Sequence, residues 1–294
     1  MHIPVLKKEV LEIFQPKRNQ NFIDATLGEG GHTFAILEKI APKGKVLTIE
    51  LTPELIEKVK RKAEKLALRE RIIFVKGNFS EIKKIARNFK FEPDGILFDL
   101  GLSSWHLEEA GRGFSFKREE ILDMRFDPSQ NLKAVDILNS FSEEKLTEIF
   151  KNFSQERWAK KIAKEIINFR KKEKILTTKQ LVEILRKAVP FWYQRRKRNF
   201  YQRIFQGLRI AVNKELENLK VALKGSLEIL KKGGKLGVIS FHSLEDRIVK
   251  NFFKEKEKEG KLKILTKKPI SPSKKEILIN KKARSAKLRV AQKI

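Results

Sequence analysis

The chain has 294 residues, 40% of them hydrophobic, and no apolar run approaches the ~18 residues of a membrane span. It has no cysteine and only 4 scattered histidines, which excludes disulfides, thiolate metal centres, iron–sulfur clusters and thiol nucleophiles, and leaves no metal-ligand pattern. Lys and Arg number 66 against 37 Asp and Glu, a formal charge of +29, and so large an excess favours a polyanionic partner, nucleic acid above all, over a merely well-solvated surface.

The opening "MHIPVLKKEVLEIF" lacks the charged-then-apolar layout of a secretion signal. A soluble, cytoplasmic protein is expected, as a monomer or a homodimer. Short apolar runs then recur: "NFIDAT" (21–26), "KVLTIE" (45–50), "RIIFVK" (71–76), "DGILFDL" (94–100) and "KLGVISF" (235–241). They read as buried parallel strands. Amphipathic segments separate them, such as "TPELIEKVKRKAEKLA", where Thr52 can cap a helix and Pro53 suits its first turn. Strand–helix alternation predicts an α/β, mainly parallel, Rossmann-like sheet with right-handed crossovers.

The alternation stops after Leu100 and resumes near Ile204. The intervening stretch is helical in pattern, with Trp158, Ile162 and Ile166 spaced as a buried stripe opposite Lys160, Lys161 and Lys164. The expected organisation is a discontinuous α/β domain, residues 1–104 and 204–294, interrupted by an all-helical insertion at 105–203. Phe205, Leu208, Val212, Leu216, Leu219 and Leu223 predict one long helix leading to the Gly233-Gly234 turn. The very basic tail from Lys267 is expected to be partly disordered until it meets RNA.

Ligands of open parallel sheets sit beyond the C-terminal ends of the strands, at the crossover point. The loop "TLGEGGHT" follows the first strand. Gly28 and Gly30 fit a dinucleotide GxGxxG, but Thr33 holds the third glycine place, and no lysine offers a P-loop ending. A loop carrying Glu29 and no cation suits a positively charged ligand better than a phosphate. S-adenosylmethionine is such a ligand, and Glu50 at the end of the second strand is placed to accept from ribose hydroxyls. Phe79, within "GNFS" after the third strand, is placed against an adenine or in the core. Asp99 ends the fourth strand in the same crevice, where an acid among apolar residues needs a partner or a function.

Ten segments together resemble a known family: "HIPVLKKEVLE", "DATLGEGGHT", "GNFS", "DGILFDLGLSS", "RGFSF", "LDMRFD", "ERWAKKIAKEI", "FQGLRIAVNKEL", "VISFHSLEDRIVKNFF" and "ARSAKLR". Running from His2 to Arg289, they are similar to the signature blocks of the bacterial 16S rRNA cytosine-N4 methyltransferases, the small-subunit rRNA methyltransferase H family. The resemblance implies a class I S-adenosylmethionine-dependent methyltransferase acting on a cytidine N4 in the decoding region of 16S rRNA or the small ribosomal subunit. It also implies a cofactor site lined by Gly30, Gly31, His32, Glu50, Phe79, Asp99 and His106. The chain departs from the family pattern at Leu51 and Thr52 after the second strand, and at Trp105 and His106.

The absence of cysteine bears on the chemistry. Methylation at carbon 5 of a pyrimidine starts with thiolate attack, so a heteroatom acceptor is expected here, with positioning and electrostatics supplying most of the acceleration. Asp99 is expected to orient cofactor and amine. His242 or Asp246, in "SFHSLEDR", is expected to receive or relay the proton; helix capping accounts for "HSLED" equally well. A base in folded RNA must be turned out to reach such a site. Arg195, Arg196, Arg198 and Arg203, interleaved with Phe191, Trp192, Tyr193, Phe200 and Tyr201, form the expected RNA grip. Arg112 and Arg125 are expected at the mouth of the site, and Arg247 on a phosphate. The competing readings are a methyltransferase of another RNA or of DNA, and a non-catalytic RNA-binding ribosome assembly factor.

Overall fold

The computed structural model describes residues 4–196 and 200–294; His2 and Arg198 lie outside them, as does the Arg196 side chain. Among the described residues, seven strands form one sheet: β1 (Phe22–Asp24), β2 (Val46–Glu50), β3 (Ile72–Lys76), β4 (Gly95–Asp99), β5 (Lys235–Ser240), β6 (Leu262–Ile264) and β7 (Lys287–Lys293). Their order is β3-β2-β1-β4-β5-β7-β6. β1 to β5 pair in parallel, with Asp24 level with Thr48 on one side and Leu97 on the other. The strand order reverses between β1 and β4, which puts the ligand crevice at their C-terminal ends.

Both faces of the sheet are covered, which is why the central strands are apolar throughout. On one face Leu47, Ile49, Ile96 and Phe98 pack with Ile82, Leu223, Val249 and Phe253 from helices. On the other, Phe22, Val46, Leu97 and Ile239 pack with Val10, Phe14, Leu37, Ile56 and Val59. Successive strand residues thus alternate between two cores.

The chain divides into two compact units, residues 1–103 with 216–294, and residues 104–215. The first carries the sheet. The second contains the helices Ala134–Ser140, Glu143–Asn152, Ala159–Arg170, Thr178–Ala188 and Phe200–Asn213.

Two expectations need correction. The long helix predicted from Phe205 onward is two helices, Phe200–Asn213 and Glu215–Ile229. Lys214 between them adopts a left-handed backbone, φ 49°, which ends the first helix at the cost of a strained non-glycine conformation. The helix Phe200–Asn213 packs on the second unit's helices, so the chain returns to the first unit at Leu216 rather than near Ile204. The basic tail is also ordered: β7 lies antiparallel between β5 and β6, with Leu288, Arg289, Val290 and Ala291 buried. Among the described residues, no helix is long and apolar enough to cross a membrane.

Candidate active site

β1, β2 and β4 each end in an acid at the crevice: Asp24, Glu50 and Asp99. Asp24 is buried, accepts from the Thr33 hydroxyl at 2.6 Å and from the Thr26 amide at 3.2 Å. Burial nevertheless pushes its carboxyl above the usual range, against those hydrogen bonds. The Thr26 hydroxyl in turn accepts from the Asp99 amide at 2.6 Å. The end of β1 therefore fixes both the glycine turn and the end of β4.

The glycines answer to different demands. Gly28 and Gly30 have φ of 48° and 77°, a region that side chains disfavour. A Cβ at Gly28 would meet only the Thr26 carbonyl oxygen, at an ordinary 3.9 Å, whereas at Gly30 it would sit 2.8 Å from Val59 Cγ1, and at Gly31 2.8 Å from Pro4 Cβ. Conformation selects the first glycine and close packing the third; both apply to Gly30.

Glu50 clasps this loop. Its Oε2 accepts from the Gly28 amide at 3.0 Å, and its Oε1 from the amides of Leu51 and Thr52 at 2.9 Å each. Leu51 acts through its backbone, so its bond does not depend on its side chain, whereas Thr52 adds its hydroxyl to its amide. Burial raises the Glu50 carboxyl, with the three amides and the Thr52 hydroxyl opposing. A carboxylate has about four lone-pair sites, and the loop occupies them, so Glu50 holds the glycine turn in place at the crevice. Phe79 is half-buried, edge-on to Phe98 with ring centroids 5.7 Å apart, and Asn78 Oδ1 accepts from the Ser80 amide at 2.9 Å.

Asp99 is the most perturbed of the acids. Burial, then the charges of Asp24 and Glu245, lift its carboxyl well above the ordinary value. Its Oδ1 is buried with no hydrogen-bond partner among the described residues, and its Oδ2 is 3.6 Å from His32 Nε2. Glu29 Oε1 is likewise buried and unpartnered, while its Oε2 is 3.3 Å from Lys58 Nζ. Unsatisfied buried carboxylate oxygens are costly. A cation entering the crevice relieves that cost; a phosphate increases it.

The "FHSLED" segment resolves into three roles. His242 caps the helix Ser243–Lys258: its Nδ1 accepts from the Glu245 amide at 3.4 Å, and Glu245 Oε2 accepts from the amides of Phe241 at 2.8 Å and His242 at 3.3 Å. Glu245 is thus both the cap and one source of the negative field on Asp99. Asp246 is taken up elsewhere. Its carboxylate accepts from Arg289 Nε at 2.6 Å and Nη2 at 3.2 Å, with Lys287 Nζ at 3.6 Å. Burial pushes this carboxyl up, but the Arg289 and Lys287 charges outweigh it and hold it below the usual range. A low-pKa carboxylate already bonded to a guanidinium is a poor proton acceptor. The structure makes Asp246 a pin between helix and β7 rather than a relay.

A family model described as the MraW methylase family matches residues 1–294. The chain belongs to that family. It is 44% identical to ribosomal RNA small subunit methyltransferase H of Clostridium botulinum over 309 residues, covering 100% of this chain and 99% of the relative. It is also 44% identical to the protein of the same name from Thermosipho melanesiensis over 295 residues, covering 100% and 98%. Among solved structures, a candidate rRNA methylase from Clostridium thermocellum superposes with a TM-score of 0.50 at 14% identity, each chain covered in full. That likeness speaks to the fold alone, the class I methyltransferase architecture. The methylase uses S-adenosylmethionine, which when bound supplies an electrophilic methyl group on a positively charged sulfur. The residues present fit it: three strand-end acids, an unpartnered Asp99 oxygen and a glycine turn that admits a close backbone approach.

The helical unit of the methylase places the other expected residues. His106 is buried, its ring 5.5, 5.3 and 5.1 Å from those of Trp105, Phe114 and Phe126. Burial, then the Arg209 and Arg112 charges, lower it to about 3, so it is a neutral imidazole at physiological pH. Arg125 is bound to Asp123 at 2.7 Å and to the carbonyls of Pro128 and Gln130. Arg112 donates to the carbonyls of Arg125 and Phe126. Both hold the 112–130 loop in shape, so Arg125 in particular is not a free phosphate ligand. Arg203 is ion-paired with buried Glu156 at 2.6 Å. Phe191 and Trp192 are exposed by 71% and 53%, with Arg195 over the Phe191 ring. Sequence reasoning missed Arg157, which lies over Trp158, Trp192 and Tyr193 at 5.4, 5.3 and 4.7 Å. The alternation of Arg157 and Trp158 was its only local signal. Arg247 is exposed on the helix Ser243–Lys258.

Proposed function

We propose that the methylase transfers a methyl group from S-adenosylmethionine to the exocyclic N4 of a cytidine in 16S rRNA, in the decoding region of the small subunit, and works in the cytoplasm. The observation that carries the reading is the half-buried Asp99 carboxylate, under the negative field of Asp24 and Glu245 and with Oδ1 buried and unpartnered. Such a group has two uses: it attracts a sulfonium, and its free oxygen accepts from an amine. An N4 amine donates poorly as a nucleophile because its lone pair is delocalised into the ring. Holding it by hydrogen bonds and aligning it with the methyl is then the main contribution available to the protein. A carboxyl raised in this way is also suited to take up the proton that the methylated amine sheds. The lack of any cysteine favours nitrogen over carbon 5 as the acceptor. The relatives' names and the charge of +29 favour RNA, with Arg195 and the exposed Phe191 and Trp192 as its first contacts.

Mass mapping of 16S rRNA from cells with and without the gene tests the reading. One cytidine is expected to lose 14 Da — about one CH2, with the methyl lost from its base — and to regain it when the purified enzyme and S-adenosylmethionine are added. Identical maps would refute it.

A further inference from the structure

A second basic surface lies on the sheet-bearing unit, formed mainly by lysines to which no role has been assigned so far. A groove of about 530 Å3 runs between the helix Ser243–Lys258 and the segment after β6. Lys250 and Lys254 line one side, Lys267 and Lys268 the other, and Arg289 is also part of the lining. All four lysines are exposed, and none has an ion-pair partner among the described residues. The acid of the groove, Glu257, already accepts from the Ile264 amide at 2.9 Å.

A lysine-rich chain has lysines everywhere, so the comparison that matters is within this one helix. Lys256 is paired with Glu255 at 2.7 Å and Glu259 at 2.5 Å, and neighbouring Lys261 with Glu259 at 2.7 Å. Glu255 and Glu259 are spent on lysines outside the groove and Asp246 on Arg289, which leaves the four groove lysines without an acid partner among the described residues. Arg247, Lys250 and Lys254 are three and four residues apart, so they share one helical face. From Arg247 to Lys254 is about 10 Å at 1.5 Å per residue. The row starts within a turn of Glu245, whose field reaches Asp99. The Asp246–Arg289 pair fixes the same helix to β7, so the row is held rigidly.

We propose that this groove binds the sugar–phosphate backbone of the RNA strand flanking the target nucleotide, with Arg247, Lys250, Lys254, Lys267 and Lys268 as phosphate ligands. The inference rests on the RNA reading above and adds to it a second contact surface, on the catalytic unit itself. A row of this kind sets the direction in which the strand leaves the crevice.

The test neutralises the four lysines together, K250Q/K254Q/K267Q/K268Q, in the full-length protein. Binding of a fluorescein-labelled single-stranded 20-nucleotide RNA is followed from 50 to 200 mM salt. Each phosphate ligand removed lowers the slope of log K against log salt by about 0.7, up to about 3 for all four. S-adenosylmethionine affinity by calorimetry is expected to be unchanged, which shows that the unit is folded. K256Q/K261Q, which removes the same kind of charge outside the groove, is expected to keep the wild-type slope. An unchanged slope in the quadruple variant, or an equal fall in the control, overturns the groove. If wild-type enzyme methylates no rRNA, it is the underlying function that fails, and the two results are distinguishable.

Discussion

Replacing Arg289 with methionine separates a structural Asp246 from a catalytic one. The guanidinium makes two bonds to Asp246, 2.6 and 3.2 Å, in a pair whose side chains are only 10% and 13% exposed. Removing one member of a buried pair costs about 3–5 kcal/mol, because the other charge is left without compensation. Lys287 remains at 3.6 Å but is 42% exposed, so it recovers little, and about 3 kcal/mol is expected. For a unit of this size that is a fall in Tm of about 6–12 °C. D246N is expected to fall comparably. The double variant D246N/R289M should lose less than the sum of the two. Because Asp246 is held below the ordinary carboxylate range, its contribution is present above that range and disappears as pH falls through the lowered value. The gap between wild type and D246N should therefore close in strong acid. Thermal melts across a pH series read all of this, alongside methyl transfer assayed well below Tm. If D246N melts like wild type and yet cannot transfer methyl groups, the pin is wrong and the proton relay is right.

Asp99→Asn should weaken S-adenosylmethionine about 10- to 100-fold, the size of a charge-assisted hydrogen bond, while raising Tm near pH 8. A carboxyl with a raised folded pKa contributes stability only below that value and loses it as pH rises, and asparagine avoids the loss; unchanged affinity by calorimetry would count against Asp99 as a cofactor ligand. In the wild type, S-adenosylmethionine affinity should rise with pH as Asp99 ionises, and a flat calorimetric profile would contradict the charge argument. Gly30→Ala should cost about 1–2 kcal/mol for its left-handed backbone alone, plus the clash with Val59 and Phe34, and should lower both Tm and cofactor affinity. Trp192→Ala should weaken single-stranded RNA by about 1–3 kcal/mol with cofactor binding intact; wild-type RNA affinity would remove that ring from the interface.

The parallel strands were legible because burial on both faces leaves an unbroken apolar run, as in "DGILFDL". β7 was not, because its charges are cancelled far away in sequence. Arg289 is neutralised by Asp246, and Lys293 donates to the carbonyls of Leu227 and Leu230. Read locally, the same residues describe a solvated tail. The break at Lys214 carries no glycine or proline, so nothing in the apolar spacing marked it. At the site, Glu50 was singled out by its place at the end of the second strand and Asp99 because an acid closing an apolar strand is costly without a purpose, and both end strands at the crevice. Asp24 was passed over, although its bond to Thr33 explains why a threonine stands where a dinucleotide fold has its third glycine. The arginines of the 112–130 loop show the limit of charge counting. Only geometry tells a cation bonded to its own carbonyls from one available to a phosphate.

The position of β7 has a consequence for any shortened form of the protein. With residues 287–293 removed, β5 would change from an interior strand to a border, its backbone groups that now pair with β7 left open beside buried Leu236, Val238 and Ile239. Bare apolar borders invite pairing with other chains. A clipped product would then be lost to aggregation even with every crevice residue still in its sequence.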